Sequence, residues 1–204
     1  MREKIDCNWH KYVDLGLPSE LLWATCNIGA SEPWERGLYF SWGNVDGHKK
    51  DSGFYFGETE HISTPGASLV TNIPVDAGYD AARANFGGSW RMPTTAEFRE
   101  LRDNCTHEWT TQNGVNGRMF TSRINGNSVF FPAAGLYIEL THFNDGNSGY
   151  YWSSSFNSHV NSRILFLNRI DLFSGSLVDQ FLGLTIRPVL DHPKDSLLIK
   201  TIKR

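Results

Sequence analysis

The stretch between Phe156 and Leu184 carries side chains that suit ligand binding better than catalysis. Large apolar, basic, acidic and small polar residues follow one another there with little order. Aromatic and arginine side chains dominate the energetics of binding surfaces, so a segment of this kind favours an interaction surface. The predicted ligand contacts are Phe156, Asn157, His159, Asn161, Arg163, Arg169, Asp171 and Phe173.

The sequence has none of the short motifs that mark common enzyme chemistries. It contains no glycine-rich phosphate loop, no Cys-x-x-Cys, no His-Glu-x-x-His and no Gly-x-Ser-x-Gly. Its seven histidines are scattered, and none lies four residues from another on a predicted helix. We therefore expect a protein that is not an enzyme, with no cofactor and no metal.

Several other polar and aromatic groups have structural explanations. Glu97 caps a helix, and Arg91 enters an ion pair or hydrogen-bonds to loop carbonyls, with anion binding as the alternative. The turn at Asp145 lacks the alternating oxygen ligands of a calcium loop. Tyr150, Tyr151 and Trp152 either form a stacking platform for carbohydrate or pack into the core. Core packing is favoured, because alternation along a strand places Tyr150 and Trp152 on one face, so at least one of the three side chains is expected to be buried.

The elements that position these groups are mostly strands and turns. Residues 12–15 and 22–26 alternate as strands. A short helix runs from Asp80 to Phe86, and a second opens at Thr94 with a capping box to Glu97. Asn-Gly pairs at 113–114, 116–117 and 125–126 predict hairpin turns. Strands at 129–135, 150–154, 164–168 and 184–189 then complete a sheet.

The predicted fold class is α+β, with two short helices packed on a twisted antiparallel sheet and many loops. Residues 1–190 form one domain with a ligand-binding segment at about 153–185, and residues 40–78 form a long, packed loop region. Residues 191–204 form a tail, which either is disordered or adds a strand to an oligomeric partner.

Composition limits the kinds of partner. The net charge of −3 over 204 residues gives no basic face for nucleic acid. No stretch is long and apolar enough to cross a bilayer, so we expect no membrane insertion. The amino terminus lacks the apolar core of a secretory signal; either the protein is made without one or the leader is missing from this sequence.

Three cysteines cannot form a complete disulfide framework. Cys26 is expected in a strand and Cys105 at the end of the second helix. Buried free thiols are the simpler explanation, and a Cys26–Cys105 bridge in an oxidising compartment is the alternative.

The order of several motifs resembles a known family, the major paralogous domain found in many copies in gut Bacteroidetes and Fibrobacter. The motifs are YVDLGLPS at 12–19, LWATCNIGA at 22–30, YFSWG at 39–43, GSWRMPT at 88–94, FPAAG at 131–135, GYYWSSS at 149–155 and IRPV at 186–189. That family is similar to C-type-lectin-fold proteins, including the formylglycine-generating enzymes and the variable proteins of diversity-generating retroelements.

The resemblance implies a C-type-lectin-like scaffold whose last strands and loops form a ligand surface. In the variable proteins, a reverse transcriptase rewrites adenines in a stretch that begins near a Trp-Ser-Ser-Ser-like segment. The substituted codons then cannot encode Lys, Glu, Gln, Met or Trp, and these five residue types are absent from 156 to 179.

The departures from the family pattern matter equally. The sequence lacks the Glu-Pro-Asn, Gln-Pro-Asp and Trp-Asn-Asp signatures of calcium-dependent sugar binding, and no cysteine follows Cys105. Neither calcium-mediated sugar recognition nor formylglycine-generating chemistry is therefore expected here.

The resemblance and the segment together predict a non-enzymatic protein that binds a protein or glycan receptor. It would be a retroelement-diversified phage receptor-binding protein or a cell-surface adhesin, on a virion or outside a cell, and it can be a homo-oligomer. The alternative is an adhesin or structural module of the same family without diversification. A formylglycine-generating-type enzyme is the least favoured hypothesis.

Overall fold

The computed structural model describes residues 4–5, 10–57 and 72–191, with the first pair described for the backbone alone. The two helices of this part are α1 (Ala81–Phe86) and α2 (Thr95–Asn104). Its strands are β1 (Lys4–Ile5), β2 (Lys11–Asp14), β3 (Leu22–Ala24), β4 (Trp90–Arg91), β5 (Cys105–Gln112), β6 (Val115–Ser122), β7 (Ser128–Pro132), β8 (Leu136–Ile138), β9 (Thr141–Phe143), β10 (Ser148–Phe156), β11 (Asn161–Asn168), β12 (Leu172–Asp179) and β13 (Val189–Leu190).

The prediction of an α+β fold of the C-type-lectin type is wrong. Strands take 43% of the described residues and helices 10%, and the strands form four small antiparallel sheets instead of one sheet covered by helices. The physical reason is the density of turns. Positive-φ glycines and Asn residues end most segments after a few residues, which leaves room for short strands but only for helices of six and ten residues.

The strands are arranged in four sheets. The strand orders are β1-β2-β3-β13-β4, β5-β6-β7, β8-β9 and β10-β11-β12. The strands of the last sheet carry four of the eight predicted ligand contacts and its two turns carry the other four, with β10 on one edge and β12 on the other.

The β10–β11–β12 sheet is packed on both faces. Trp152 and Ile164 belong to one hydrophobic cluster, together with Trp42 and Trp90. The residues next to them in sequence, Tyr151 and Leu165, belong to a second cluster on the other side, with Phe98 and Leu101 of α2. The strand alternation predicted for residues 150–152 is therefore confirmed, since Tyr151 and Trp152 are fully buried on opposite faces.

Both helices begin where the sequence predicts. Asp80 accepts a hydrogen bond from the Arg83 amide at the start of α1. Thr94 and Glu97 form the capping box of α2, and Arg91 makes ion pairs with Glu97 (2.6 Å) and Asp191 (2.7 Å). The structural explanation of Arg91 is confirmed, because two carboxylates already hold its guanidinium group.

Three local predictions about turns and strands need correction. The Asn113–Gly114 turn is present with positive φ at both residues, but Asn116 and Gly117 lie inside β6, where the strand is paired on both sides. Residues 184–189 join β10 only through one isolated parallel bridge between Thr185 and Tyr151, whereas Val189 pairs with β3 and β4. The third strand of the β10–β11 sheet is β12, where the sequence predicts no strand.

Cys26 and Cys105 are free thiols. Cys105 caps the end of α2 as predicted, and burial raises the pKa of its thiol to about 11. Cys26 lies in a bend after β3 and not in a strand. Cys7, residues 58–71 of the predicted loop region, and the tail beyond Asp191 lie outside the described residues.

None of the helices in the described ranges is both long and apolar enough to cross a membrane.

Candidate functional site

Strand β10 is fixed to the rest of the molecule at its centre. The indole of Trp152 is fully buried, and its Nε1 donates a hydrogen bond to the Phe40 carbonyl at 2.7 Å. The Trp152 backbone N–H donates to the Thr185 carbonyl at 3.0 Å. Strand β10 is therefore held by both its backbone and its largest side chain.

The three serines after Trp152 connect β10 to the start of α2. Ser153 Oγ donates to the Arg163 carbonyl at 2.7 Å, and Ser155 Oγ accepts the Thr95 N–H at 3.0 Å. The pairing of β10 with β11 is irregular between Trp152 and Phe156. The buried hydroxyls replace strand hydrogen bonds at that irregularity, which explains why small polar residues stand there.

The closing segment is fixed by Arg187, whose guanidinium is completely buried. Its Nε donates to Asn27 Oδ1 at 2.8 Å, its Nη1 donates to the Ala24 and Thr25 carbonyls, and the group lies 4.6 Å from the Phe131 ring centroid. Burial lowers the pKa of Arg187. Carbonyl dipoles and an aromatic face thus hold this cation in the core, where it ties β3 to the residues just before β13.

The first turn, residues 157–160, joins β10 to β11 and is held by Ser158 and Gln180. Ser158 Oγ accepts the amides of Val160 (3.3 Å) and Asn161 (3.0 Å). The Gln180 side-chain amide donates to the Ser158 carbonyl at 2.9 Å, and its backbone N–H donates to the Val160 carbonyl at 2.9 Å. The exposed side chains of this turn take no part in these bonds.

The second turn, residues 169–171, joins β11 to β12 at the other end. Asn168 Oδ1 accepts the amides of Ile170 (2.7 Å) and Asp171 (2.6 Å). The Asn168 carbonyl accepts a hydrogen bond from Nη2 of Arg118, a buried residue of β6 whose Nη1 contacts His107 Nδ1 at 2.9 Å. The backbone of this turn is therefore fixed mainly by residues that flank it or lie outside it.

The structure divides the predicted ligand contacts into two groups. Strand β11 separates the turns, and its eight residues at about 3.3 Å each place the turns about 23 Å apart. One group comprises Phe156, Asn157, His159, Asn161 and Arg163, and the other comprises Arg169, Asp171 and Phe173. A small ligand can contact only one turn at a time.

In the first group, Asn157 and His159 are exposed and the other members also serve the fold. Asn161 Nδ2 donates to Asp179 Oδ1 at 2.6 Å. Arg163 donates to the Gly175 carbonyl at 3.2 Å and to Asn157 Oδ1 at 3.0 Å. Phe156, which is half-buried, has its ring centroid 5.9 Å from that of Trp42.

In the second group, Arg169 and Phe173 are exposed, whereas Asp171 Oδ2 accepts a hydrogen bond from Asn168 at 3.2 Å. The ring of Phe173 lies at the edge of an aromatic row that crosses all three strands. Its centroid is 6.2 Å from that of Phe166, and the Phe166 centroid is 5.1 Å from that of Tyr150. The row becomes more exposed toward β12, where Phe173 is 53% accessible.

Three exposed apolar residues of the same segment are not among the predicted ligand contacts: Val160, Ile170 and Leu177. Ile170 is 86% accessible. The sequence does carry a signal that Ile170 lies in an exposed turn, because Asn168 and Asp171 flank a two-residue loop and such residues stabilise turns with their side chains. Val160 and Leu177 needed the register of β11 and β12.

A second polar cluster lies away from this sheet, around His142. The Tyr39 hydroxyl donates to the Ala134 carbonyl at 2.6 Å, and His142 Nε2 lies 2.9 Å from the same carbonyl. Burial lowers the pKa of His142. For Asp145, burial raises the pKa, but hydrogen bonds from Arg36 and Lys50 outweigh it and leave the pKa below its ordinary value. These bonds hold the segments on either side of β8 and β9 against residues 36–50. No group of three or more His, Cys, Asp or Glu side chains that could bind a metal occurs in the described ranges.

No protein-family model matches this chain, and comparisons with curated proteins and with solved structures give no match either.

Proposed function

We propose that this protein binds a receptor or ligand through the side chains of the two turns of the β10–β11–β12 sheet, and that these side chains are diversified. The proposal joins the motif resemblance to retroelement variable proteins with the composition of residues 156–179. The protein acts outside a cell or on a virion, as an adhesin or a receptor-binding protein of phage, and it performs no catalysis.

The observation that carries the proposal is the separation of structural and exposed side chains within the 156–184 segment. Of its 29 residues, eight are buried: Ser162, Ile164, Leu165, Leu167, Gln180, Leu182, Gly183 and Leu184. All eight lie on strand β11 or after β12. The turn residues between them are exposed or half-exposed, so their identity can change while the packed positions remain.

The backbone of each turn is stabilised in a way that tolerates such change. The bonds that hold the turns come from Gln180, Arg118 and the short side chains Ser158 and Asn168. Substitution at Asn157, His159 or Arg169 removes none of these bonds. Rigid turns with free side chains lower the entropy lost on binding.

The chemistry of the exposed side chains suits a macromolecular partner. Ile170, Phe173 and Val160 are apolar and accessible, and Arg169 and His159 are exposed near them in sequence. Exposed apolar residues beside arginine are typical of interaction surfaces. Two turns about 23 Å apart fit a protein or an extended glycan better than a small molecule.

Diversification is tested on the DNA that surrounds the gene. We expect a near-copy of the segment that encodes residues 152–189, differing from it mainly at adenines, and a reverse-transcriptase gene close by. If neither is present, diversification is refuted, and a static adhesin or structural module of fixed sequence takes its place.

The binding surface itself is tested with two libraries displayed on yeast. The first randomises Asn157, His159, Val160, Arg169 and Ile170; the control randomises the same number of buried frame positions: Ser153, Ser162, Leu165, Gln180 and Arg118. We expect most members of the first library to stay protease-resistant and to yield binders to immobilised lysozyme, while most control members lose protease resistance. Equal loss in both libraries would show that the turns are part of the fold and not a display surface.

A further inference from the structure

The chain contains three Asn-Gly pairs, at 113–114, 116–117 and 125–126. An asparagine before glycine can lose its side-chain amide when the backbone nitrogen of the glycine attacks the amide carbon, because glycine has no side chain that hinders the approach. The attack needs an asparagine side chain that is free to turn and a glycine N–H that is not engaged in a hydrogen bond. The three pairs share this local chemistry, so the tertiary structure decides which of them can react.

The first pair, Asn113 and Gly114, forms the exposed tip of the β5–β6 hairpin. The pairing of Gln112 with Val115 closes a two-residue loop, and both loop residues have positive φ, 46° and 79°, as this kind of turn requires. The space around Gly114 is open. In the described part of the chain, the Asn113 side chain and the Gly114 N–H make no hydrogen bond.

The second pair is held inside the same sheet. Asn116 Oδ1 accepts a hydrogen bond from Thr111 Oγ1 at 2.9 Å, and Asn116 Nδ2 donates to the Gly146 carbonyl at 3.0 Å. Gly117 lies within β6 and is paired with β5 on one side and β7 on the other. The Asn116 amide can therefore turn toward the Gly117 nitrogen only after both of its bonds and the local strand pairing are broken.

The third pair is exposed like the first but is fixed by hydrogen bonds. Asn125 Nδ2 donates to the Asp14 carbonyl at 3.0 Å, and Asn125 Oδ1 accepts the Asn127 N–H at 3.0 Å. The Gly126 N–H donates to the Ser122 carbonyl at 3.1 Å. Both the group that would be attacked and the attacking nitrogen are thus engaged, so exposure alone does not make this pair reactive.

We propose that Asn113 is a modification site of the folded protein, at which deamidation forms aspartate and isoaspartate, while Asn116 and Asn125 are preserved. The Gly114 nitrogen gives its proton to water and bonds to Asn113 Cγ; the Cγ–Nδ2 bond then breaks, and ammonia leaves with a proton from water. The product of this step is a cyclic imide. Water adds to one of its two carbonyl carbons and opens the ring, which gives aspartate or isoaspartate, and no oxidant or reductant takes part.

The modification changes the hairpin tip and leaves the β10–β11–β12 sheet untouched, so this inference does not depend on the proposed function. Both products place a carboxylate at position 113. Isoaspartate also adds one carbon to the main chain, and a two-residue loop whose geometry depends on the φ of both residues cannot keep its form with a longer backbone. The pairing of Gln112 with Val115 is the contact next to this change.

Peptide mapping of the full chain tests the proposal after incubation in mildly alkaline buffer, with and without urea. We expect Asn113 to convert at least about tenfold faster than Asn116 and Asn125 in the folded protein, because the two held pairs react only after local opening. In urea the three pairs should convert at similar rates, since their hydrogen bonds are gone. Positions 113 and 116 share one tryptic peptide, 103–118, so electron-transfer fragmentation is used to tell them apart.

The variant Asn113→Asp supplies the chromatographic standard for the aspartate product, and a later- or earlier-eluting peptide of the same mass identifies isoaspartate. Conversion of Asn113 in the folded protein that is no faster than that of Asn116 or Asn125 would overturn the proposal. Folding that slows Asn113 as strongly as it slows the other two sites would also overturn it, because the hairpin tip would then be a protected site.

Discussion

Gln180→Met tests the idea that residues outside the turns hold their backbone. The Gln180 side chain is buried, and its amide donates to the Ser158 carbonyl and to Ser162 Oγ, both at 2.9 Å. Methionine has a similar length and fits an apolar site, but it donates no hydrogen bond. The substitution therefore removes both bonds with little change of volume.

The size of the effect follows from burial. Each lost bond costs about 1 kcal/mol, and a buried acceptor left without a donor costs about 1–3 kcal/mol. Ser162 is fully buried, so water cannot replace the lost donor there. We expect the free energy of unfolding to fall by about 2–4 kcal/mol and the melting temperature to fall by roughly 5–15 °C.

Urea unfolding followed by tryptophan fluorescence measures this change. Arg169→Ala is the control, because Arg169 is exposed in the turn that Gln180 does not hold; its effect should stay within about 0.5 kcal/mol. A loss below about 0.5 kcal/mol for Gln180→Met, or equal losses for the two variants, would refute the division between structural and displayed side chains.

Two further predictions concern the rest of the fold. Burial lowers the pKa of His142 in the folded protein, so on acidification the unfolded chain takes up a proton first, and stability should fall as pH drops below about 6.5. Urea unfolding between about pH 7.5 and about pH 5 should show a larger loss of unfolding free energy for the wild type than for His142→Gln. In the same assay, Gly117→Ala should destabilise the protein more than Gly114→Ala. A Cβ at 117 would lie 2.3 Å from the Phe131 carbonyl oxygen, whereas the space at 114 is open. Only the positive φ opposes a side chain at 114, and this conformation costs about 1–2 kcal/mol. Equal pH slopes, or a milder effect at 117, would contradict these two expectations.

Local signals predicted local structure well. The caps of α1 and α2, the Asn113–Gly114 turn and the alternation of Tyr151 and Trp152 all depend on residues within a few positions of one another. Such features need no knowledge of distant contacts. This is why they were predicted and the fold class was not.

Strand pairing was beyond the sequence. Residues 172–179 have mixed polar and apolar side chains and a central glycine, so their pattern does not distinguish a strand from a loop; their pairing with β11 makes them a strand. Residues 184–189 have a clear strand pattern, yet Val189 pairs with β3 and β4. Long-range hydrogen bonds, not local preference, made both choices.

For the candidate site, the sequence by itself determined which segment mixes packed and exposed chemistry, and it correctly included Asn157, His159, Arg169 and Phe173 among the accessible side chains. Only the tertiary structure decided that these residues fall into two groups toward opposite ends of β11, that Asn161 and Asp171 also hold the turns, and that Val160 and Leu177 are exposed. The physical reason is that burial and proximity are properties of strand register and of packing between distant parts of the chain, whereas a sequence shows only which side chains are available.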